Sequence, residues 1–231
     1  MLSLVIPTYN EKENLPKLVE GISKACKGMK IRIVVVDDNS PDGTGNVAES
    51  LKRKYKDFYI LHRIGKKGLG SAILDGFEKC SGDIVGVIDA DLSHPPKIIP
   101  KMIEALKDKD MVIASRYVKG GGTHESWSPF RKLVSKSAIL LIRPLTDVKD
   151  PMSGFFLVKK SLINKTKLEP TSCKICLEIL VKCKIKNFEE IPYTFINRKK
   201  GRSKIMNTKD ISRYVIHVIK LYVFKIKNLV S

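Results

Sequence analysis

Two carboxylates, Asp89 and Asp91, stand one residue apart where the apolar run from Val85 to Ile88 breaks into the polar stretch DADLSHPP. In an extended chain residues i and i+2 point to the same side, so the pair can converge while Ala90 faces away. Two hard oxygen ligands at one point suit Mg2+ or Mn2+, which keep positions open for water and substrate phosphates. The same triplet can instead cap a following helix. Pro95, Pro96 and the periodic Ile98, Ile99, Met102, Ile103 and Leu106 announce such a helix. The triplet alone leaves both roles open.

The elements that must carry these carboxylates read as an α/β pattern. Leu2 to Pro7 forms a first buried strand, and Asn10 is placed to cap a helix with apolar Leu15, Leu18, Val19, Ile22 and Cys26. Ile31 to Asp37 is a continuous apolar strand of the kind found in a parallel sheet covered on both faces. The turn-rich DDNSPDGT (37–44) leads into a helix with Val47 and Leu51. A strand at Phe58 to His62, a helix at Leu69 to Phe77, a strand at Ile84 to Asp89 and a strand at Met111 to Ser115 follow. This alternation predicts an open, mostly parallel sheet flanked by helices, with right-handed crossovers. Ligands of such sheets bind at the carboxyl ends of the strands. Pro7 to Glu11, Asp37 to Asp42 and Asp89 to Ser93 would then share one rim, where two acidic clusters repel unless a cation sits between them. Gly65 to Gly70 lacks the P-loop spacing, and no G-x-G-x-x-G follows the first strand, which speaks against P-loop and dinucleotide enzymes.

The chain has 231 residues, 43% of them hydrophobic, and a formal charge of +19. No apolar stretch reaches the ~18 residues of a spanning helix, and the N-terminus enters a strand pattern directly, so a cytoplasmic, non-spanning chain is expected. Five scattered cysteines read as reduced thiols; Cys176, Leu180 and Cys183 share helical spacing, so packing is favoured over zinc or redox work for the Cys173/Cys176 pair. Residues 159–231 hold 18 Lys+Arg against 5 Asp+Glu, a net +13 that would attract nucleic acid, anionic lipid or phosphorylated substrates. No base-reading motif or aromatic stacking series accompanies it, which argues against nucleic acid.

Beyond Ser115 the glycine triplet Gly120 to Gly122 beside Trp127 is either a lid or a plain loop. Trp127 to Ile142 carries Arg131, Ser135 and an apolar stripe. Gly154 to Val158 reads as a strand, Ile175 to Cys183 as a helix, and Phe188 to Arg198 as a strand ending in basic residues. Lys199 to Lys204 either bind phosphate or are simply solvated. In the last segment, Asp210 to Val230, the residues Ile211, Tyr214, Val215, Val218, Ile219 and Tyr222 define one helical face, with Arg213, His217, Lys220 and Lys227 on another. That is the pattern of a membrane-surface helix, or of a helix docked on the sheet with a wet basic back.

Taken in order, IPTYNE, DDNSPDGT, GKKGLGSA, DADLSHPP, SRYVKGGG, Trp127/Arg131/Ser135, DPMSGF and GRSK run through about 200 residues. On these motifs the chain resembles the dolichyl-phosphate mannosyltransferases of glycosyltransferase family 2. The resemblance implies a GT-A fold over residues 1–207, with a nucleotide-binding half to about 115, an acceptor half over 116–207, and a basic amphipathic helix over 208–231 at a membrane surface. It implies transfer of mannose from GDP-mannose to dolichyl or polyprenyl phosphate at the cytoplasmic face, with Mn2+ or Mg2+. Pro7, Tyr9, Glu11, Asp38 and Ala90 would contact the nucleoside. Asp89, Asp91 and Ser93 fall at metal-ligand positions, Ser93 where some relatives hold Gln. Arg116, Arg131 and Ser135 would clamp the acceptor phosphate, and Arg202 and Lys204 the donor phosphates. Met152 stands where Thr is usual and Phe156 where Arg is common. Some relatives add C-terminal transmembrane helices, so this chain would rely on its basic helix or an anchoring partner protein.

A phosphate monoester, with a second pKa of about 6, is already anionic near neutral pH and needs no dedicated base to attack a sugar. Catalysis would then be positioning and charge, and the resemblance implies Asp89, Asp91, Arg116 and Arg131 as the catalytic set.

Overall fold

The computed structural model describes residues 1–230 apart from 66–67, 124–128, 170–173 and 197–207; side chains of 129–134, 136, 208–211 and 229–230 are also outside the description. The elements in order are β1 (Leu2–Thr8), α1 (Leu15–Ala25), β2 (Ile31–Asp37), α2 (Thr44–Lys54), β3 (Phe58–His62), α3 (Leu69–Glu78), β4 (Ile84–Val87), α4 (Ile99–Ala105), β5 (Met111–Ser115), β6 (Gly122–Thr123), α5 (Pro129–Ile142), β7 (Phe156–Lys159), α6 (Lys160–Ile163), α7 (Ile175–Lys182), β8 (Phe188–Pro192), β9 (Thr194–Phe195) and α8 (Thr208–Val230).

Among the described residues the main sheet has the order β3-β2-β1-β4-β7-β5-β8, and β6 pairs with β9 apart from it. β1 runs parallel to β2 and β4, β2 to β3, and β5 to β8. The expected open, mostly parallel sheet is present. β1 and β2 carry apolar residues toward both faces because both faces are covered. Leu2, Leu4, Ile6, Ile33 and Val35 face α1, α2 and α4, while Val5, Val34 and Val36 face α3 and share a core with α7. Gly76 lets α3 come close, since a Cβ there would fall 2.5 Å from Val5 Cγ1. Cys176 and Leu180 lie in this second core as packing predicts, and Cys173 lies outside the described residues.

β7 is the exception, antiparallel to both β4 and β5. Its reversal brings the loop that precedes it, 150–155, to the rim formed by the ends of β1, β2, β4 and β5. The strand begins at Phe156 rather than Gly154. Phe156 sits opposite Val87 and Ile113 and is 1% exposed, so the residue that replaces a common arginine is a core residue.

Other expectations change. β4 stops at Val87, two residues short of Asp89. Asn10 does not cap α1; it adopts φ 61°, a left-handed turn conformation that Asn tolerates, and the helix starts at Leu15 with Pro16 in its first turn. The strand foreseen to Arg198 breaks after Pro192, crossing to β9; the residues from 197 lie outside the description. Pro192 sits on the edge strand, and its neighbour Tyr193 still donates its N–H to the Ser115 carbonyl.

The largest correction concerns α8. Its buried stripe is Tyr214, His217, Val218 and Leu221, the i, i+3, i+4, i+7 set, packed with Ile142, Leu145, Leu177 and Val181. Tyr214 and Tyr222 hydroxyls donate to the Ala138 and Leu141 carbonyls at the end of α5. Lys220 pairs with Glu169, and Lys182 with the fully buried Glu178. His217 therefore belongs to the docked face, while Val215, Ile216, Ile219, Val223 and Ile226 are exposed. The outward side is an apolar row as well as a basic one. Among the described residues no helix is long and apolar enough to cross a membrane.

Burial holds the His217 imidazole below its usual pKa; the charges of Glu178 and Glu169 pull it up, and those of Lys182 and Lys220 push it down. The unfolded chain, with a histidine pKa of about 6.5, binds that proton more readily, so this contribution to stability is lost as pH falls through that value. Urea midpoints at pH 7.5 and 5.5 should fall toward acid, with a shallower fall for His217→Gln.

Candidate active site

The polar motifs at the ends of β1 and β2 fold against each other. Asp38 N–H donates to the Thr8 carbonyl, Asn10 N–H to Ser40 Oγ, Glu11 N–H to Thr44 Oγ1, and Lys12 N–H to Asp42 Oδ2. Asp37 accepts from Thr8 Oγ1, Ser40 N–H and Ser40 Oγ. Much of IPTYNE and DDNSPDGT thus shapes a rim out of two loops that would otherwise carry unsatisfied backbone groups. Pro7 is buried in β1, opposite Val36, and Tyr9 and Glu11 are partly exposed above it.

Arg63, which the sequence did not single out, neutralises this rim from inside. Its side chain is 2% exposed, with Nη1 2.9 Å from Asp38 Oδ1 and Nε 3.1 Å from Asp75 Oδ2. It also donates to the Gly68 carbonyl and Ser71 Oγ, while Gly68 N–H donates to Asp38 Oδ2. Asp38 is held on both oxygens, and the loop opening α3 is tied to it. The repulsion between acidic clusters that suggested a cation is thus met, at Asp38, by the protein's own arginine. The only advance signal was a basic residue one step past the end of β3.

Asp89 and Asp91 are presented by a turn rather than by strand alternation. Ser93 N–H donates to Asp91 Oδ1, and Leu92 at φ 62° reverses the chain. His94 is carried back so that its Nε2 lies 3.2 Å from Asp89 Oδ2. On another side Asp89 abuts Gly154 of the DPMSGF loop, where a Cβ would fall 2.8 Å from Asp89 Cγ. Asp89 remains about a third exposed and Asp91 is buried. Among the described residues no three His, Cys, Asp or Glu side chains are grouped to hold a metal unaided. The donor set still fits Mg2+ or Mn2+, which are bound through one or two carboxylates plus substrate phosphates. Ser93 Oγ, fully buried and without a hydrogen-bond partner, is a further oxygen beside them. Ala90 lies between the carboxylates, buried.

The second cluster follows β5. Arg116 donates from Nε and Nη2 to the two oxygens of Asp150, 2.7 Å each, and its backbone N–H adds a third bond. Burial opposes the Arg116 charge, but the hydrogen bonds and charge of Asp150 outweigh it and raise the guanidinium pKa. The guanidinium stacks over Tyr117, whose hydroxyl is 2.8 Å from Ser135 Oγ on α5, so β5 and α5 are joined at the site. Arg131 lies in α5 one turn before Ser135, its side chain outside the described residues, as are Arg202, Lys204 and Trp127. Tyr193, 4% exposed, carries a hydroxyl without a hydrogen-bond partner. Its pKa is raised by burial first, with Arg116 pulling down and Asp150, Asp89 and Asp91 pushing up. Tyr193 therefore feels both clusters, the carboxylate pair and the arginine. Nothing in the residue types signalled it, since its place follows from the break between β8 and β9.

Residues 3–166 match the family described as Glycosyl transferase family 2. A dolichol-phosphate mannosyltransferase of Pyrococcus furiosus is 46% identical over 225 residues, covering 95% of this chain and 63% of that protein. The chain thus spans less than two thirds of that relative's length. A dolichol-phosphate mannosyltransferase of Saccharomyces cerevisiae is 35% identical over 235 residues, covering 96% of this chain and 87% of its own. Among solved structures, glucosyl-3-phosphoglycerate synthase of Mycobacterium tuberculosis, in complex with Mn2+, uridine diphosphate and phosphoglyceric acid, aligns with TM-score 0.70 at 18% identity over 97% of this chain and 78% of that one. That likeness identifies the fold as GT-A-like.

The contact between Gly154 and Asp89 sets a measurable requirement. Gly154→Ala should lose about 1–3 kcal/mol in urea denaturation, the usual effect of overpacking. Gly122→Ala, where an added Cβ meets nothing within 4 Å, should stay within about 0.5 kcal/mol of the parent.

Proposed function

Because the chain belongs to glycosyltransferase family 2, we propose that it transfers mannose, with inversion, from GDP-mannose to dolichyl or another polyprenyl phosphate. The observation that carries this reading is the pairing, on one rim, of the Asp89/Asp91 carboxylates with Arg116, which Asp150 holds by two side-chain hydrogen bonds. A divalent cation on the carboxylates would meet the donor diphosphate, and the arginine would meet the acceptor phosphate. The relatives' names supply the sugar and the lipid.

Pro7, Tyr9, Glu11, Asp38 and Ala90 are assigned to the nucleoside, with Asp38 oriented by its ion pair with Arg63. Asp89, Asp91 and Ser93 would hold a divalent cation, Mn2+ or Mg2+, which when bound offsets charge on the departing diphosphate. Arg116, fixed by Asp150, presents positive charge toward the acceptor without needing to be ordered at the moment of reaction. Ser135 stands beside it through Tyr117, and Arg131 is assigned to the same phosphate. Arg202 and Lys204 are assigned to the donor phosphates. With the acceptor oxygen already anionic, no side chain of the site needs to act as a base.

The exposed row Val215, Ile216, Ile219, Val223 and Ile226, with Leu140 and Leu141 exposed on the neighbouring α5, fits a peripheral contact with the cytoplasmic face of a membrane. Arg213 and Lys227 supply cations for anionic headgroups, Lys220 being paired with Glu169. An anchoring partner protein is compatible with the same face.

Protein incubated with GDP-mannose, dolichyl phosphate and Mn2+ or Mg2+ should yield a β-linked mannosyl lipid. EDTA or Asp89→Ala should lower turnover by about a hundredfold or more, since a metal contributes several kcal/mol and 1.36 kcal/mol is tenfold. Product from UDP-glucose and none from GDP-mannose would reassign the donor; no product from any nucleotide sugar would overturn the reading. In a separate assay, Ile219→Glu with Val223→Glu should reduce co-sedimentation with anionic vesicles while leaving the melting temperature within a few degrees. Unchanged sedimentation would remove α8 from the membrane contact.

A further inference from the structure

We infer that His94 is a positioning residue for Asp89, holding its carboxylate in the orientation that receives a divalent cation. The inference rests on the metal-binding reading above. His94 is 2% exposed, and its Nε2 lies 3.2 Å from Asp89 Oδ2. A carboxylate only accepts hydrogen bonds, so the ring carries its hydrogen on Nε2. Three aromatic rings fix the imidazole: Phe155 edge-on at 5.6 Å, Tyr193 tilted at 5.2 Å and Phe195 edge-on at 5.8 Å. These rings belong to the DPMSGF loop, the residue between β8 and β9, and β9, so turning the imidazole means moving three segments.

The opposite nitrogen identifies the kind of role. Nδ1 is buried without a hydrogen-bond partner. An enclosed, unsatisfied acceptor carries a desolvation penalty that a ring used only as filler need not bear, since phenylalanine would fill the space without it. With one nitrogen on Asp89 and the other sealed from solvent, His94 is not set up to pass a proton to a substrate. What remains is orientation. Asp89 leans on the Gly154 backbone on another side, and its side chain is still about a third exposed, as a ligand that must meet a cation requires. Ligating groups are generally aimed by hydrogen bonds from neighbours, and removing such a neighbour weakens metal affinity by about 10- to 100-fold.

The test is Mn2+ affinity of the full chain without nucleotide, by electron paramagnetic resonance or calorimetry, beside melting temperature. His94→Gln places an amide N–H near the Nε2 position; His94→Asn places one near Nδ1, out of reach of Asp89; His94→Phe keeps the ring and removes both nitrogens. Gln should retain most of the affinity, while Asn and Phe should each lose about 10- to 100-fold. Equal affinity in all three would overturn the inference, as would equal loss in Gln and Asn, which would mark a packing role. Should Phe fail to fold, the Gln–Asn comparison still decides. The Asp89→Ala control separates the two readings: if Mn2+ binding by the parent does not depend on Asp89, the metal site itself fails; if it does, and His94→Asn binds as the parent, only the role of His94 fails.

Discussion

The structure depends on the parallel pairing of β1 with β2 on one side and β4 on the other. Parallel strands end on the same edge, so three turns separated by up to 80 residues of chain open at one rim. The pairing is possible because LSLVIPT and IRIVVVD offer apolar side chains to both faces, each covered by helices. Every later feature of the site is an addition to that rim.

At the rim, acidic side chains come with partners that aim them. Asp37 is held by Thr8 and Ser40, Asp38 by Arg63 and Gly68, Asp42 by Lys12 and Thr44, Asp91 by Ser93, and Asp150 by Arg116. Two of the partners are arginines, Arg63 buried and Arg116 with its side chain 11% exposed. A buried ion pair adds little net stability because desolvation offsets its attraction. Its effect here is geometric: it fixes where a carboxylate and a guanidinium point before any substrate arrives. A fixed polar frame of that kind stabilises developing charge more effectively than solvent, which must first reorganise.

Strand positions were readable because apolar continuity and helical spacing are local properties. β2, β3 and β5 occur at their expected bounds, and α7 differs by a single residue. Asp89 and Asp91 stood out as candidate chemistry because paired charge just past an apolar run is conspicuous, whereas Arg116 was singled out only through the family resemblance. The reversal of β7 was not, since an apolar run of four or five residues carries no direction. Arg63, His94 and Tyr193 were missed for a related reason: their roles come from partners between 5 and 104 residues distant, and folding brings those together. The register of α8 was misjudged because its sequence offers two apolar stripes, and only docking against Leu177 and Val181 chooses between them.

The reversed strand has one more consequence. Asp150, which grips Arg116, and Gly154, which supports Asp89, lie on the same short loop. Four residues of fully extended chain span at most about 14 Å. The two supports are therefore tied by a covalent tether, and breathing of the flanking helices cannot draw them farther apart than it allows. The loop is a ruler inside the site, and its length is written in the number of residues between an aspartate and a glycine.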